Sequence, residues 1–151
     1  MAKAVVFQQG DVRLALVFCD LAHVSLDVST RARKQASQRT GIPFDNMAIA
    51  ATHSHTGPLY WGALRNHFHE QTMQNHGSDI YEKINYPNNL VRKLVQVIEQ
   101  GAASLESVQL SAGTAREKRL SFNRRFHMTD GTVRFNPGLL NPRIVRPAGP
   151  I

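Results

Sequence analysis

Short hydrophobic runs separated by polar turns mark the first fifty residues of the chain. Residues 4–7 and 12–19 are rich in the branched and aromatic side chains that strands favour, and the turn-forming sequence Gln-Gly-Asp occupies residues 9–11 between them. A strand–turn–strand order of this kind is typical of a β-hairpin. We therefore predict two antiparallel strands in this region.

A helix and a third strand are predicted to follow the hairpin. Residues 26–40 have helical character, Ser25 or Asp27 is suited to cap the start of the helix, and Gly41 is suited to end it. The apolar residues 47–52 then predict a strand at the centre of its sheet. Because a β–α–β order with a buried strand is typical of α/β proteins, we predict an α/β fold in which a mixed β-sheet is flanked by helices.

The periodic pattern disappears between residues 53 and 76, a segment that contains five of the seven histidines. We predict a loop there, and loops of this length are usually either functional or disordered. A second helix is predicted after it, with Pro87 in the first turn and an end between residues 101 and 105. The apolar residues that recur at helical spacing in this second helix are Leu90, Leu94, Val97 and Ile98.

The last third of the chain is rich in turns. Residues 107–116 alternate between apolar and polar side chains, which predicts a half-buried strand. The sequence Thr-Asp-Gly-Thr at 129–132 lies between two short apolar runs and predicts a second β-hairpin, formed by residues 126–128 and 133–135. No internal boundary is indicated, so we expect residues 1–151 to belong to one domain.

The charge of the chain changes the interpretation of this last third. Eighteen Lys and Arg residues outnumber eleven Asp and Glu residues, for a net charge of +7, and residues 116–151 alone account for +6. A basic segment attracts nucleic acid, anionic lipid or an anionic substrate group, although a solvated face has the same composition. A nucleic-acid-binding module is the alternative of a different class. It is disfavoured because few aromatic residues are interleaved with the arginines.

Composition also excludes several classes of protein. A single cysteine, Cys19, excludes an internal disulfide framework and a zinc site built from several cysteines. Cys19 lies in an apolar run, so we expect an inert core thiol. No apolar stretch approaches the roughly 18 residues of a membrane-spanning helix, and no transmembrane segment is expected. The first residues also lack the pattern of a signal peptide.

Two histidines after the third predicted strand are the strongest candidates for chemistry. His53 and His55 lie in the sequence Thr-His-Ser-His-Thr-Gly-Pro at residues 52–58. If the extended backbone continues through this motif, both imidazoles project to the same face, because side chains of a strand alternate. Such a pair can share one divalent metal, or one histidine can bind the metal while the other contacts substrate. Two polar side chains with ordinary hydrogen bonds are the simpler alternative.

Several other residues are candidates for the same site. Asp20 can orient a metal-bound histidine or, more simply, cap the turn after its strand. Arg124, in the sequence Ser-Phe-Asn-Arg-Arg at 121–125, can stabilise an oxyanion or belong to a basic edge strand. The remaining histidines are either exposed loop residues or sources of a third metal ligand, and none has a spacing that distinguishes it: His23, His67, His69, His76 and His127.

The residues of this site resemble those of a known enzyme family. The sequence MAIAATHSHTGP at 47–58 is similar to the A-T-H-T-H-S-G-P signature of the neutral, non-lysosomal ceramidases, in their N-terminal catalytic domain. The sequence SFNRR at 121–125 resembles the S-x-N-R-S element of that family, although Arg125 replaces its second serine. Residues 3–21 are similar to the family's early strand pair. The resemblance therefore covers most of the chain, and the histidine motif is its specific part.

This resemblance implies a zinc-dependent amide hydrolase that cleaves ceramide into sphingosine and a fatty acid. By this resemblance His53 is a zinc ligand, His55 helps to bind or polarise the amide carbonyl, and Arg124 stabilises the developing oxyanion. Zinc supplies Lewis-acid polarisation in such reactions. The family's other zinc ligands, a His, a Glu and a Tyr, lie further along the chain in its members. The resemblance also implies a secreted or periplasmic parent protein.

We accordingly expect residues 1–151 to be a fragment of a longer enzyme, incomplete at both ends of its fold. Such a fragment is expected to bind one zinc ion weakly and to be inactive alone, because two histidines leave the coordination shell open. A metal-dependent hydrolase of another N-acyl or ester compound remains an alternative. A fragment that does not fold alone is compatible with both of these hypotheses.

Overall fold

The computed structural model describes residues 1–117 and 120–150, and it divides the chain into two compact units. The first unit comprises residues 1–107 and the second comprises residues 108–151. Helices and strands occur together, so the prediction of an α/β fold is confirmed. The prediction that residues 1–151 form one catalytic domain stays a prediction.

A three-stranded mixed sheet organises the first unit. Strands β1 (Ala2–Gln9) and β2 (Val12–Cys19) form the predicted antiparallel hairpin, with Gly10 at a φ of 56° in its turn. Strand β3 (Met47–Ala51) pairs in parallel with β2, and the order is β1-β2-β3. The prediction of a central β3 is therefore wrong. Met47 is buried, Ile49 and Ala51 are partly buried, and Ala48 and Ala50 are exposed on the other face, so β3 is apolar without being covered on both faces.

Two helices cover one face of this sheet. Helix α1 (Leu26–Thr40) connects β2 to β3, and a helix at Tyr86–Ala103, called α3 below, packs on α1 and on β1. Gly101 allows close approach, because a Cβ atom there would lie 2.9 Å from Cγ2 of Val6. The largest fully buried side chains of this unit are Ile42, Leu94, Ile98, Val17, Val28, Val95 and Cys19. The inert core position predicted for Cys19 is thus confirmed, and burial raises the pKa of its thiol.

Local signals at the ends of α1 explain its bounds only in part. Gly41 ends the helix in the left-handed conformation, at a φ of 72°, and its N–H donates to the carbonyl oxygen of Ser37, as the sequence predicts. Ser25 occupies the N-cap position, but its side chain makes no capping bond. Its backbone N–H instead donates to the Tyr60 hydroxyl at 3.0 Å. Tertiary structure therefore fixes the start of this helix.

A third helix, α2 (Ala63–His76), replaces most of the loop predicted for residues 53–76. The prediction was wrong because α2 buries only Thr72, so its sequence has almost no apolar stripe. Gly62 lies at its N-cap and Gly77 ends it at a φ of 68°. The second predicted helix is confirmed as α3, which has Pro87 in its first turn and ends at Ala103, within the predicted range of 101–105.

The second unit contains a small antiparallel sheet. Strands β4 (Arg125–Met128) and β5 (Val133–Phe135) form the predicted hairpin, and β6 (Ile144–Pro147) pairs with the other side of β4. The interpretation of residues 121–125 as a basic edge strand is wrong, because residues 121–124 form no strand and Arg125 belongs to β4, which lies between β5 and β6. Residues 107–116 form no strand and are exposed, so that prediction is also wrong; their alternation has no sheet to pack against.

Within residues 1–117 and 120–150, no helix is long and apolar enough to cross a membrane.

Candidate functional site

Two loops of the first unit begin at the carboxyl ends of neighbouring parallel strands. Strands β2 and β3 are parallel, so residues 20–22 and 52–54 follow their carboxyl ends side by side. Pairing continues past the strands, because the Thr52 N–H donates to the Cys19 carbonyl at 2.9 Å and the Ser54 N–H donates to the Leu21 carbonyl at 3.1 Å. Ligands of α/β proteins bind preferentially at the carboxyl ends of the strands.

The His53 backbone departs from the extended form that the sequence predicts. Its φ is 62°, a left-handed conformation that is uncommon for a residue other than glycine. Its side chain is fixed from the neighbouring loop, since Nδ1 lies 2.8 Å from the carbonyl oxygen of Ala22. A carbonyl only accepts, so Nδ1 carries the hydrogen and the Nε2 lone pair is directed away. A backbone carbonyl that orients an imidazole in this way is common behind metal-binding histidines.

The two imidazoles nevertheless come together as the sequence predicts, although for a different reason. Nε2 of His55 lies 3.2 Å from Nε2 of His53, and the ring centroids are 4.8 Å apart in a T-shaped arrangement. Two nitrogens bound to one tetrahedral zinc at about 2.0–2.1 Å would be roughly 3.3 Å apart. Both side chains are exposed. The His55 Nε2–H donates a hydrogen bond to the unprotonated Nε2 of His53, and the same separation suits two nitrogens that share one metal ion.

Gly57 holds the histidine loop against the loop after β2. A Cβ atom at this position would lie 2.8 Å from the backbone oxygen of Asp20 and 3.3 Å from Cα of Leu21. Real Cβ atoms do not approach backbone so closely, so any larger residue must separate the two loops. The same two loops carry His53 and the Ala22 carbonyl that orients it.

The other sequence candidates do not join the histidine pair. Across residues 1–117 and 120–150, no group of three His, Cys, Asp or Glu side chains is placed to hold a metal. Asp20 accepts a hydrogen bond from the Thr52 hydroxyl at 3.4 Å, on the loop after β3, and its predicted role in the turn after its own strand stays a prediction. His23 packs edge-on against Trp61, and His127 lies in β4 of the second unit.

Arg124 immediately precedes β4 in the second unit. Its carbonyl oxygen accepts from the Asn136 N–H at 2.9 Å, and its guanidinium lies 5.9 Å from the centre of the Phe122 ring. The neighbouring Asn123 is tied down by two contacts: its side-chain oxygen accepts from the Arg125 N–H, and its amide nitrogen donates to the Pro150 carbonyl. These contacts order the Asn-Arg element, and the role of Arg124 in an active site stays a prediction.

A cluster of charged residues on and after α2 was missed from the sequence. Arg65 is only 13% exposed and donates to both Asp79 and Glu82, while Nδ1 of His69 lies 2.9 Å from Asp79. Hydrogen bonds from His69 and Arg65 hold the pKa of the Asp79 carboxyl far below its usual range. Spacings of 10, 14 and 17 residues form no recognisable motif, so only the fold brings this cluster together.

The Asp79 contacts predict an acid-sensitive segment. A carboxyl with a lowered pKa in the folded state stabilises the fold above its unfolded pKa, near 3.8, and this stability is lost as pH falls below it. We expect the melting temperature of the chain to fall on acidification below about pH 4. Asp79→Asn is expected to lower the melting temperature at pH 7 and to weaken this acid dependence. Circular dichroism melts at pH 7 and pH 3 measure both effects.

Asp11→Asn in the β1–β2 turn is the matched control, because Asp11 is exposed in the turn of the hairpin. It is expected to melt as the unmodified chain does at both pH values. Identical acid dependence in Asp79→Asn and the unmodified chain would contradict the assignment.

A mainly apolar cavity of about 470 Å³ includes Arg65 and Glu82 of this charged cluster among its lining residues. Its walls come from the loop after the histidine motif, from α2 and from the segment that precedes α3. Pro58, which lies three positions after His55, is one of the lining residues. Four aromatic rings and two aliphatic side chains dominate the lining: Tyr60, Phe68, Tyr81, Tyr86, Leu59 and Ile84.

Comparison of the chain with protein-family models, with curated proteins and with solved structures found no match in any of the three.

Proposed function

We propose that this chain carries part of the active site of a zinc-dependent amide hydrolase of the neutral ceramidase type. The observation that carries the proposal is the histidine pair, whose Nε2 atoms are 3.2 Å apart at the carboxyl ends of two parallel strands. The Ala22 carbonyl fixes the tautomer of His53 so that its Nε2 faces the shared position.

The residues present fit part of a zinc site. His53 would bind the ion through Nε2. His55 would either bind the same ion or contact the amide carbonyl of the substrate, because its Nε2 lies next to Nε2 of His53. When bound, zinc supplies Lewis-acid polarisation of the amide carbonyl. Further ligands must complete the site, since two histidines alone bind zinc weakly. Arg124 is proposed to stabilise the oxyanion that develops during hydrolysis.

The apolar cavity supports a substrate with a hydrocarbon portion. Pro58, one of its lining residues, is three residues from His55, so the Cα atoms of the two residues are at most about 11 Å apart. Neither His53 nor His55 lines the cavity, so an acyl group held there would have to extend beyond it for its amide to meet the imidazoles. The apolar lining favours a lipid or N-acyl amide as substrate. A panel of N-acyl and ester substrates of increasing chain length would separate a ceramidase from a hydrolase of other acyl compounds.

Zinc binding tests the proposal without a requirement for activity. We expect the chain to bind about one Zn²⁺ ion and His53→Ala to weaken this binding at least about tenfold, because the oriented ligand is lost. Competition with a zinc-sensitive dye measures both affinities. His76→Ala is the matched control, since His76 is exposed in the last turn of α2, and it should bind as the unmodified chain does. Equal zinc affinity in His53→Ala and His76→Ala would refute the proposed site.

A further inference from the structure

The second unit exposes two leucines at the surface of one loop. Residues 136–143, called the leucine loop below, connect β5 to β6. Leu139 is 95% exposed and Leu140 is 90% exposed. A single exposed leucine needs no explanation, but two adjacent leucines that are almost fully exposed form an apolar tip.

The leucine loop is compactly folded despite this exposure. Asn136, Gly138 and Leu140 all have positive φ values, of 46°, 103° and 55°. The Asn141 side chain donates to the Pro137 carbonyl at 2.6 Å, and the Arg143 N–H donates to the Asn141 side-chain oxygen. A left-handed conformation disfavours leucine, and its side chain gains no packing here. Local stability therefore does not explain why leucine occupies position 140.

Arginines flank both ends of the leucine loop. At its start, β5 ends at Phe135, which pairs with Arg125, and the Asn136 N–H donates to the Arg124 carbonyl. At its end lie Arg143 and, in β6, Arg146. The apolar tip is therefore flanked by basic residues. The unit as a whole is also basic, since residues 108–151 contain eight Lys and Arg residues and two Asp and Glu residues.

Part of this positive charge has no carboxylate partner among residues 108–117 and 120–150. The Asp130 carboxylate already forms ion pairs with Arg134 and Arg143, whose guanidinium nitrogens lie 3.2 and 2.8 Å from its Oδ2. In the described ranges 1–117 and 120–150, no carboxylate lies within ion-pair distance of Arg125 or Arg146. These two guanidiniums are free to bind anions, and guanidiniums are well suited to phosphate.

We propose that the leucine loop and its flanking arginines dock on the surface of an anionic lipid bilayer. Leu139 and Leu140 would enter the boundary between headgroups and acyl chains, and Arg125 and Arg146 would contact lipid phosphates. Nucleic acid accepts aliphatic side chains only where base steps are unstacked, an energetic cost that a lipid surface does not impose. A lipid surface explains both the exposed leucines and the flanking arginines. The proposal does not depend on the histidine pair, because all its residues lie in the second unit.

Vesicle flotation of the full 151-residue chain tests the proposal. Binding is expected to vesicles of phosphatidylcholine with added phosphatidylserine, to decrease with salt, and to be much weaker on phosphatidylcholine alone. The double variant Leu139→Asn, Leu140→Asn should bind at least about tenfold more weakly, because apolar burial is lost. Asn tolerates the left-handed conformation, so this variant should fold normally. Arg125→Gln and Arg146→Gln should each weaken binding about fivefold.

Leu26→Asn is the matched control, because Leu26 is highly exposed on α1 of the first unit. Its vesicle binding should equal that of the unmodified chain. Three outcomes would overturn the proposal: no binding to anionic vesicles, equal binding by the leucine variant, or leucine-dependent self-association in light scattering without vesicle binding. Strong binding to DNA or RNA that the leucine variant retains, with vesicle binding absent, would assign the arginines to nucleic acid instead. Circular dichroism of each variant confirms that lost binding is not lost folding.

Discussion

Gly57→Ala is expected to destabilise the first unit by about 1–3 kcal/mol and to weaken zinc binding at least about tenfold. The added Cβ atom would lie 2.8 Å from the backbone oxygen of Asp20. Backbone cannot rotate away as a flexible side chain does, so the loops after β2 and β3 must separate. The separation would move His53 from the Ala22 carbonyl, 2.8 Å from its Nδ1, and would disturb its 3.2 Å approach to His55.

Gly113→Ala is the matched control for this substitution. A Cβ atom at Gly113 would meet nothing within 4 Å, and its backbone has no positive φ, so the change should leave stability within about 0.5 kcal/mol. Urea denaturation measures the free energy of unfolding of both variants, and dye competition measures their zinc affinity. If Gly57→Ala matched Gly113→Ala in both measurements, close contact of the loops would not position the histidines.

Leu94→Ala is expected to lower the free energy of unfolding by about 3 kcal/mol. Leu94 is completely buried in α3, in the core shared with α1 and the sheet. The truncation removes buried apolar surface and leaves a cavity that rigid neighbours fill only in part. For a unit of about one hundred residues, this loss corresponds to a fall of more than about 10 °C in the melting temperature.

Leu64→Ala removes the same atoms from an exposed site. Leu64 is 57% exposed on α2, so its truncation should cost less than about 1 kcal/mol. A cooperative melt of the unmodified chain would also show that residues 1–151 fold alone. A similar small effect of both substitutions would mean that the core around Leu94 is not tightly packed.

The strongly patterned elements of the fold were predictable from the sequence. Helix α1 has the predicted bounds, because Gly41 supplies the left-handed end that its sequence indicates. The hairpin of β1 and β2, most of α3 and the β4–β5 hairpin follow equally strong local signals. Helix α2 was missed because a helix that buries only Thr72 leaves no apolar period in its sequence.

The candidate site shows the same division. The motif at residues 52–58 identified His53 and His55, and the α/β order placed them after a strand, where the structure has them. The sequence predicted that an extended backbone brings the two imidazoles together. This reason was wrong, since His53 has a left-handed backbone conformation. Strand pairing and the Ala22 carbonyl bring the two rings together, and neither is a property of the local sequence.

The sequence alone therefore determined the order of the strongly patterned helices and strands, the histidine motif, and the excess of arginine in the last third. Each depends on neighbouring residues, whose spacing is visible in the chain. Only the tertiary structure decided that β3 lies at a sheet edge, that Gly57 meets Asp20, and that Arg65 meets Asp79 and Glu82. These features join residues distant in sequence, and such contacts depend on how whole elements pack.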